Sequence, residues 1–229
     1  MLAKDCRFNQ NEAHDLFGEL LTVKVNPAVI EKQVKKTVRK YNDILHPKQF
    51  HDYFIVGGNW DIDYTYIEAD RNYNEMRELI ENPDYKNTYS YQLNIEEWLN
   101  GIPPKDHNGR YFNSIAAINR TYEYYLSLIA SMSKNGYIKS RENIGVAIAP
   151  TGELYHFRTG HHRLAIAKLL KLDEVTIKIY LVHLLWLEEM KRIYGQNEIR
   201  AIKKGIKRGH YNGADTGKQT LLRKICQRI

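Results

Sequence analysis

The stretch HFRTGHHR, residues 156–163, sets a glycine between arginines and histidines where a strand pattern gives way to a helix pattern. The first turn of a helix carries backbone N–H groups without intrahelical partners, and the helix dipole adds partial positive charge there, so an anion lodges naturally at such a junction. Gly160 allows close backbone approach or a positive φ. Arg163 can bind phosphate oxygens in a bidentate fashion, and His161 or His162 can donate a hydrogen bond or carry a proton. Arg158 lies one strand period before Gly160 and can face the same side. Thr159 either joins this phosphate cradle or caps the helix in an ordinary turn with the histidines packed or solvated. Zinc held by His156, His161 and His162 is a further alternative, but those spacings match no strong ligand template.

Phosphoryl transfer at such a turn also asks for a divalent cation and a carboxylate to take the nucleophile's proton. Asp61 in GGNWDID, residues 57–63, is the leading carboxylate, because Gly57 and Gly58 place it on a tight turn at a strand end. Asp63 is the second carboxylate and, with Asp61, the candidate Mg²⁺ ligand pair. Glu153, beside Gly152 in a turn, and His162 complete the catalytic candidates. The alternative for residues 57–63 is a plain loop anchored by Trp60.

These residues need elements to hold them. LLTVKV, ending at Asn26-Pro27, reads as a buried strand over residues 20–25, and Pro27 with the apolar spacing up to Leu45 predicts a helix over residues 27–45. YFIV predicts a strand ending at Gly57-Gly58. Residues 64–112 are polar and aromatic, with helical stretches at NYNEMRELIEN and YSYQLNIEEWLNG, and read as an insertion. A clearer helix carries Ile115, Ile118, Tyr122, Tyr125, Leu126, Ile129 and Met132 on one stripe up to Asn135-Gly136. NIGVAIAPTGELYHF predicts a β-hairpin around Pro150-Thr151-Gly152. In EVTIKIYLV, period-two alternation indicates a strand with two distinct faces. Most tyrosines lie in helical stripes such as RTYEYYLSL, where packing explains them; stacking on nucleic-acid bases is the alternative.

Composition bounds the reading. Of 229 residues, 43% are hydrophobic and 27% charged, which suits a globular fold with a core of its own and excludes wholesale disorder. No apolar run reaches membrane-span length and the first residues lack an apolar signal core, so a cytoplasmic protein is expected. Cys6 and Cys226 suggest neither a disulfide framework nor a thiolate metal site. The net charge of +7 is unevenly spread: from Lys191 onward eleven Lys/Arg face two acids, a net of +9, which leaves the first 190 residues at −2. Such a basic segment attracts the phosphates of nucleic acid, nucleotide or anionic lipid; a solvated tail that aids solubility is the alternative.

The 47 residues from Tyr137 to His183 resemble the core of the ParB/sulfiredoxin-like superfamily: a helix ending near glycine, a strand pair, a glycine-histidine-arginine turn opening a helix, then a further strand. LTVKVNP is similar to the first strand of that fold, and GGNWD to a Gly-Gly-Asp-Trp-Asp stretch in uncharacterised bacterial and archaeal proteins. The resemblance implies an α+β fold, a small mixed sheet flanked by helices, as a single domain over 1–190 with a helical insertion at about 64–112 and a basic extension over 191–229. It also implies that Gly160, His161, His162 and Arg163 hold the phosphates of ATP, ADP or CTP with Mg²⁺. Where sulfiredoxins carry a catalytic cysteine in this turn the chain has His161, which argues against that chemistry, and only one arginine remains of the arginine-rich turn of the partitioning proteins. The Gly-His-His-Arg form is nearest the free-serine-kinase branch, although Thr159 replaces an aspartate often found there. The expected activity is a phosphotransferase acting on a small hydroxyl-bearing acceptor. The alternative is a ParB-like nucleic-acid-binding protein, nucleotide-switched, using residues 191–229. A nuclease would need a carboxylate cluster for two metals, which the sequence does not show.

Overall fold

A computed structural model describes residues 6–34, 52–106, 110–138 and 143–211. In chain order the elements are β1 (Cys6–Asn9), α1 (Gln10–Phe17), β2 (Thr22–Val25), β3 (Lys32–Val34), β4 (Tyr53–Val56), β5 (Tyr64–Tyr66), α2 (Arg71–Glu81), α3 (Tyr89–Leu99), α4 (Ile115–Asn135), β6 (Ile144–Ile148), β7 (Leu154–His156), α5 (His161–Leu169), β8 (Val175–His183), α6 (Leu184–Tyr194) and α7 (Glu198–Lys207). The fold is α+β. It divides into two compact units: a sheet unit of Met1–Ile67, Lys139–Gly160 and Asp173–Ile229, and a helical unit of Glu68–Ile138 and His161–Leu172.

The sheet unit is built on an eight-stranded mixed sheet of order β1-β4-β8-β6-β7-β3-β5, with β2 also paired to β8. β8 is its spine. One edge pairs in parallel with β6, while the other takes β2 antiparallel along residues 175–178 and β4 in parallel at residues 182 and 183. A strand covered on both faces should be apolar throughout, and IGVAI of β6 is buried at all five positions. Ile177, Ile179 and Leu181 are fully buried, each worth about 1.5–3 kcal/mol of hydrophobic stabilisation. The partly buried Thr176, Lys178 and Tyr180 alternate with them on the other face. β6 and β7 form the expected hairpin, closed by a hydrogen bond from Gly152 N–H to the Ala149 carbonyl.

In the helical unit, Ser114 caps α4 by accepting from the Ala117 N–H, and Gly136 ends it at φ 69°. Its inner stripe carries Ile118, Tyr122, Tyr125 and Met132 into the core. The polar atoms buried there are paired: Tyr122 donates to Glu75 Oε1 at 2.8 Å, Asn94 Nδ2 donates to the Tyr122 hydroxyl at 2.8 Å, and Arg71 donates to Asn94 Oδ1 at 3.0 Å. Tyr85, Tyr91, Tyr122 and Tyr125 pack ring on ring. The tyrosines of RTYEYYLSL that face inward are core, not a stacking platform.

Several expectations are corrected. The helix from Pro27 does not form over the described part of its range: Pro27–Val29 makes one 3₁₀ turn, and Lys32–Val34 is a strand held between β5 and β7. Pairing on both edges outweighs the helical spacing there; residues 35–45 lie outside the described residues. The strand of residues 20–25 starts only at Thr22, after a 3₁₀ turn over Gly18–Leu21. The insertion does not begin at residue 64, because β5 pairs with β3 as part of the sheet, and α4 belongs with the helices. Nor is Lys191 the start of a separate tail. It lies within α6, and α7 folds against that helix, so the basic segment is structured as far as residue 211; residues 212–229 lie outside the described residues.

Candidate functional site

The loop after β7 is pressed against the start of β6. Phe157 N–H donates to the Gly145 carbonyl at 2.8 Å, and Gly145 N–H donates to the Thr159 carbonyl at 2.9 Å. Thr159 Oγ1 donates to the Asn143 carbonyl at 2.9 Å. His156 Nε2 lies 3.0 Å from the Thr159 carbonyl; a carbonyl only accepts, so that nitrogen carries the hydrogen and is not presented to a metal. Gly160 has φ +88°, and a Cβ there would come within 2.8 Å of the Ile144 Cα. Arg158 takes φ 80°, a conformation that costs a non-glycine residue about 1–3 kcal/mol and that clusters at ligand-binding sites.

That strained backbone delivers an exposed cation to the polar face of β8. The Arg158 guanidinium lies over the Tyr180 ring at 5.0 Å, and Lys178 Nζ approaches the same ring at 5.1 Å. Neither takes part in an ion pair among the described residues. Two cations sharing one ring attract its quadrupole but repel each other. An anion bound to both removes that repulsion. The sequence reading had included Arg158 and missed Lys178, although the alternation in EVTIKIYLV already placed Lys178 and Tyr180 on one face.

The other residues of the turn open α5 in the helical unit. The His162 ring packs against Tyr125, tilted by 36° with centroids 4.5 Å apart, and its Nε2 is buried, so His162 helps to fix the helix. His161 and Arg163 are partly exposed in the same first turn.

The carboxylates gather elsewhere, around the C-terminal end of β8. The turn that follows β4 is pinned twice: Trp60, fully buried, donates from Nε1 to the Val56 carbonyl at 3.3 Å, and His183 Nε2 lies 2.8 Å from the Gly58 carbonyl. At its other nitrogen His183 accepts the Leu185 N–H at 3.0 Å, as the N-cap of α6. An accepting Nδ1 and a donating Nε2 define one neutral tautomer, and burial, the leading cause, lowers the ring's proton affinity. Asp61 Oδ1, 3.6 Å from Nε2, therefore faces a neutral imidazole and not an ion-pair partner. Burial of Asp61 raises its pKa, and a neutral His183 does not offset it.

Lys32 on β3 and Glu153, just before β7, stand near Asp61, and their charges act on it. Lys32 Nζ donates to Glu153 Oε1 at 3.2 Å and lies over the rings of Tyr64 at 4.7 Å and Tyr155 at 5.3 Å. Thr151 Oγ1 donates to the second oxygen of Glu153 at 3.0 Å. Burial pushes the Tyr155 phenol up to about 12. Burial works against the Lys32 charge, but Tyr155 and Glu153 outweigh it and the pKa is raised. Lys32 and His183 are functional candidates the sequence did not reveal, the first because it fell in an expected helix.

The hairpin register separates these two groups. Gly145 meets Thr159 at one end of β6 and Ala149 meets Glu153 at the other, four residues along the strand; at about 3.3 Å per residue they are about 13 Å apart. Asp61 and Glu153 thus share one end, and Arg158, Thr159 and Gly160 the other. Among the described residues no group of three or more His, Cys, Asp or Glu is arranged to hold a metal. Asp61 and Asp63 stand in one turn at the end of the hairpin away from Arg158–Gly160, and about 13 Å of strand rise is too far for one Mg²⁺, with ligands at about 2.0–2.1 Å, to join them to phosphate held at that corner.

Asp61→Asn gives a direct reading of the cost of its burial. A folded-state pKa above the ordinary 3.8 means that Asp61 favours the fold when protonated, and that this contribution fades as pH rises through the raised value. The variant should melt a few degrees above the wild type at pH ~7, with the gap closing by about pH 3, below the ordinary carboxyl range. A lower melting temperature at neutral pH would show that the carboxylate is stabilised where it stands. Compared with protein families, curated proteins and solved structures, the chain matches none, and no helix among its described residues is long and apolar enough to cross a membrane.

Proposed function

We propose that this chain is a ParB/sulfiredoxin-like nucleotide-binding protein whose Arg158–Gly160 corner takes the phosphates of ATP, ADP or CTP with Mg²⁺. Its activity is phosphoryl transfer to a small hydroxyl-bearing acceptor. The observation that carries this reading lies wholly within the sheet unit. A backbone strained at Arg158 and pressed against β6 at Gly160 brings two cations, Arg158 and Lys178, to one ring. A phosphate group supplies the missing counter-charge and enough oxygens for both.

Phosphoryl transfer passes through a loose transition state, so it demands chiefly positioning and charge neutralisation. Arg158 and Lys178 serve those needs. Asp61 and Glu153, about 13 Å away by strand rise, lie too far from that corner to take the proton of a hydroxyl attacking phosphate held there, since a general base works at about 2.6–3.2 Å. Mg²⁺ carried in with the nucleotide would supply further neutralising charge there.

A ligand that binds only the folded chain stabilises it by about 2.7 kcal/mol at a hundred times its Kd, which for this size raises Tm by about 5–10 °C. Melting the chain with Mg²⁺ and each of ATP, ADP and CTP should show that rise for at least one, and a smaller one for inorganic phosphate. No rise with any of the three would overturn the reading.

A further inference from the structure

The basic residues of α7 are sorted onto one face. Ala201, Ile202, Gly205 and Ile206 are buried, whereas Arg200, Lys203, Lys204, Lys207 and Arg208 are exposed. That is the i, i+3, i+4, i+7, i+8 pattern of a helix face, here with cations at every position. The buried side is fastened closely to α6: a Cβ at Gly205 would lie 2.6 Å from Met190 Sδ and 2.8 Å from Trp186 Cη2. Trp186 Nε1 also donates to the His210 carbonyl at 2.7 Å, tying down the end of the helix.

Acids that could neutralise this face are engaged around it. Glu198 pairs with Arg7 and with Lys191, Glu188 with Lys191, and Glu189 with Arg192. None of the five exposed cations takes part in an ion pair among the described residues. Lys204 is steadied over the Tyr194 ring at 5.6 Å. The face runs the length of the helix, about 12 Å between Arg200 and Arg208 at 1.5 Å per residue.

We infer that this face docks on the phosphate backbone of a DNA duplex. Over ~12 Å of axis a duplex presents about seven phosphate charges, a density that answers five cations in a row. An anionic membrane is the weaker partner, because helices that bind in the lipid interface insert an exposed apolar face, and the apolar face of α7 is already covered by α6. The helix width also fits the major groove of B-form DNA, whereas the deep, narrow major groove of A-form RNA does not admit side chains. In sequence, residues 212–229 add four further cations and one acid.

The test is fluorescence anisotropy of the full chain with a short random-sequence DNA duplex. Binding should be measurable at about 50 mM salt and fall about five-hundredfold by about 200 mM, as five phosphate contacts at a slope of about 0.9 each require. Lys203→Ala with Lys207→Ala should lower the slope of log affinity against log salt by about two, near 0.9 for each lost phosphate contact. Lys203→Glu with Lys204→Glu and Lys207→Glu should abolish binding with an unchanged circular dichroism spectrum, since all three are exposed. Arg158→Ala with Lys178→Ala should leave duplex binding intact, which keeps this inference separate from the nucleotide reading. No binding at low salt, an unchanged slope, or tighter binding to phosphatidylserine vesicles than to the duplex would overturn it.

Discussion

Gly145→Ala is expected to unfold the sheet unit or to leave it severely destabilised. A Cβ at Gly145 would sit 2.2 Å from the Phe157 carbonyl oxygen, and 3.1 and 3.2 Å from two atoms of the Tyr180 ring. The first is a backbone atom that cannot rotate away. It is held there because Gly145 itself forms hydrogen bonds to Phe157 N–H and to the Thr159 carbonyl. Relief requires prising the loop off β6. Overpacking costs about 1–3 kcal/mol and occasionally more, and each of the two hydrogen bonds is worth about 0.5–1.5 kcal/mol net. The sum, about 2–6 kcal/mol, is a large share of a typical total stability of about 5–15 kcal/mol. At about 2–4 °C per kcal/mol, Tm should fall by about 4–24 °C. The same loop carries Arg158, so nucleotide binding should be lost even in any folded remainder. Wild-type melting would mean that the loop is not seated as described.

That glycine also shows the limits of what the sequence reveals. Gly145 sits inside IGVAI, an apolar run that reads as strand whether or not a loop lies against it. The close approach that makes glycine necessary is tertiary. Gly160 was legible, because it falls where a strand pattern meets a helix pattern. The hairpin, α4 and β8 were likewise legible from local signals: a turn dipeptide, a 3.6-residue stripe and strict alternation. The helix expected from Pro27 failed because three residues, Lys32–Val34, pair on both edges, and no local signal reports distant partners. β1 and α1 passed unread, although Asn9 and Glu12 form a capping box, an N-x-x-E pattern visible in the sequence.

The site was partly legible in the same sense. Arg158, Gly160, Asp61 and Glu153 were named from residue type and turn position. Their division between two ends of a hairpin depends on strand register, which composition and spacing do not encode. Lys178 and Lys32 become candidates only when β8 and β3 are laid beside the loops they serve. His183 is a case where chemistry follows from a cap: the residue that starts α6 also fixes the Gly58 carbonyl, and through it the turn that carries Asp61.

The second large effect concerns the phosphate corner. Hydrogen bonds to charged groups are worth about 1.5–3 kcal/mol each. Removing both cations with Arg158→Ala and Lys178→Ala should therefore weaken nucleotide binding by about a hundredfold or more. Neither side chain is buried, so the melting temperature without ligand should hardly move; Arg158→Ala should even relieve some repulsion from Lys178. Asp61→Asn, at the opposite end of the hairpin, serves as the control and should leave nucleotide affinity unchanged.

Isothermal calorimetry of the wild type, Arg158→Ala with Lys178→Ala, and Asp61→Asn, each titrated with the Mg²⁺–nucleotide that raises Tm, tests the central claim most directly. The account predicts tight binding to the first and third and almost none to the second. Equal affinity in all three, or loss only with Asp61→Asn, would contradict it and place the ligand away from the Arg158–Gly160 corner.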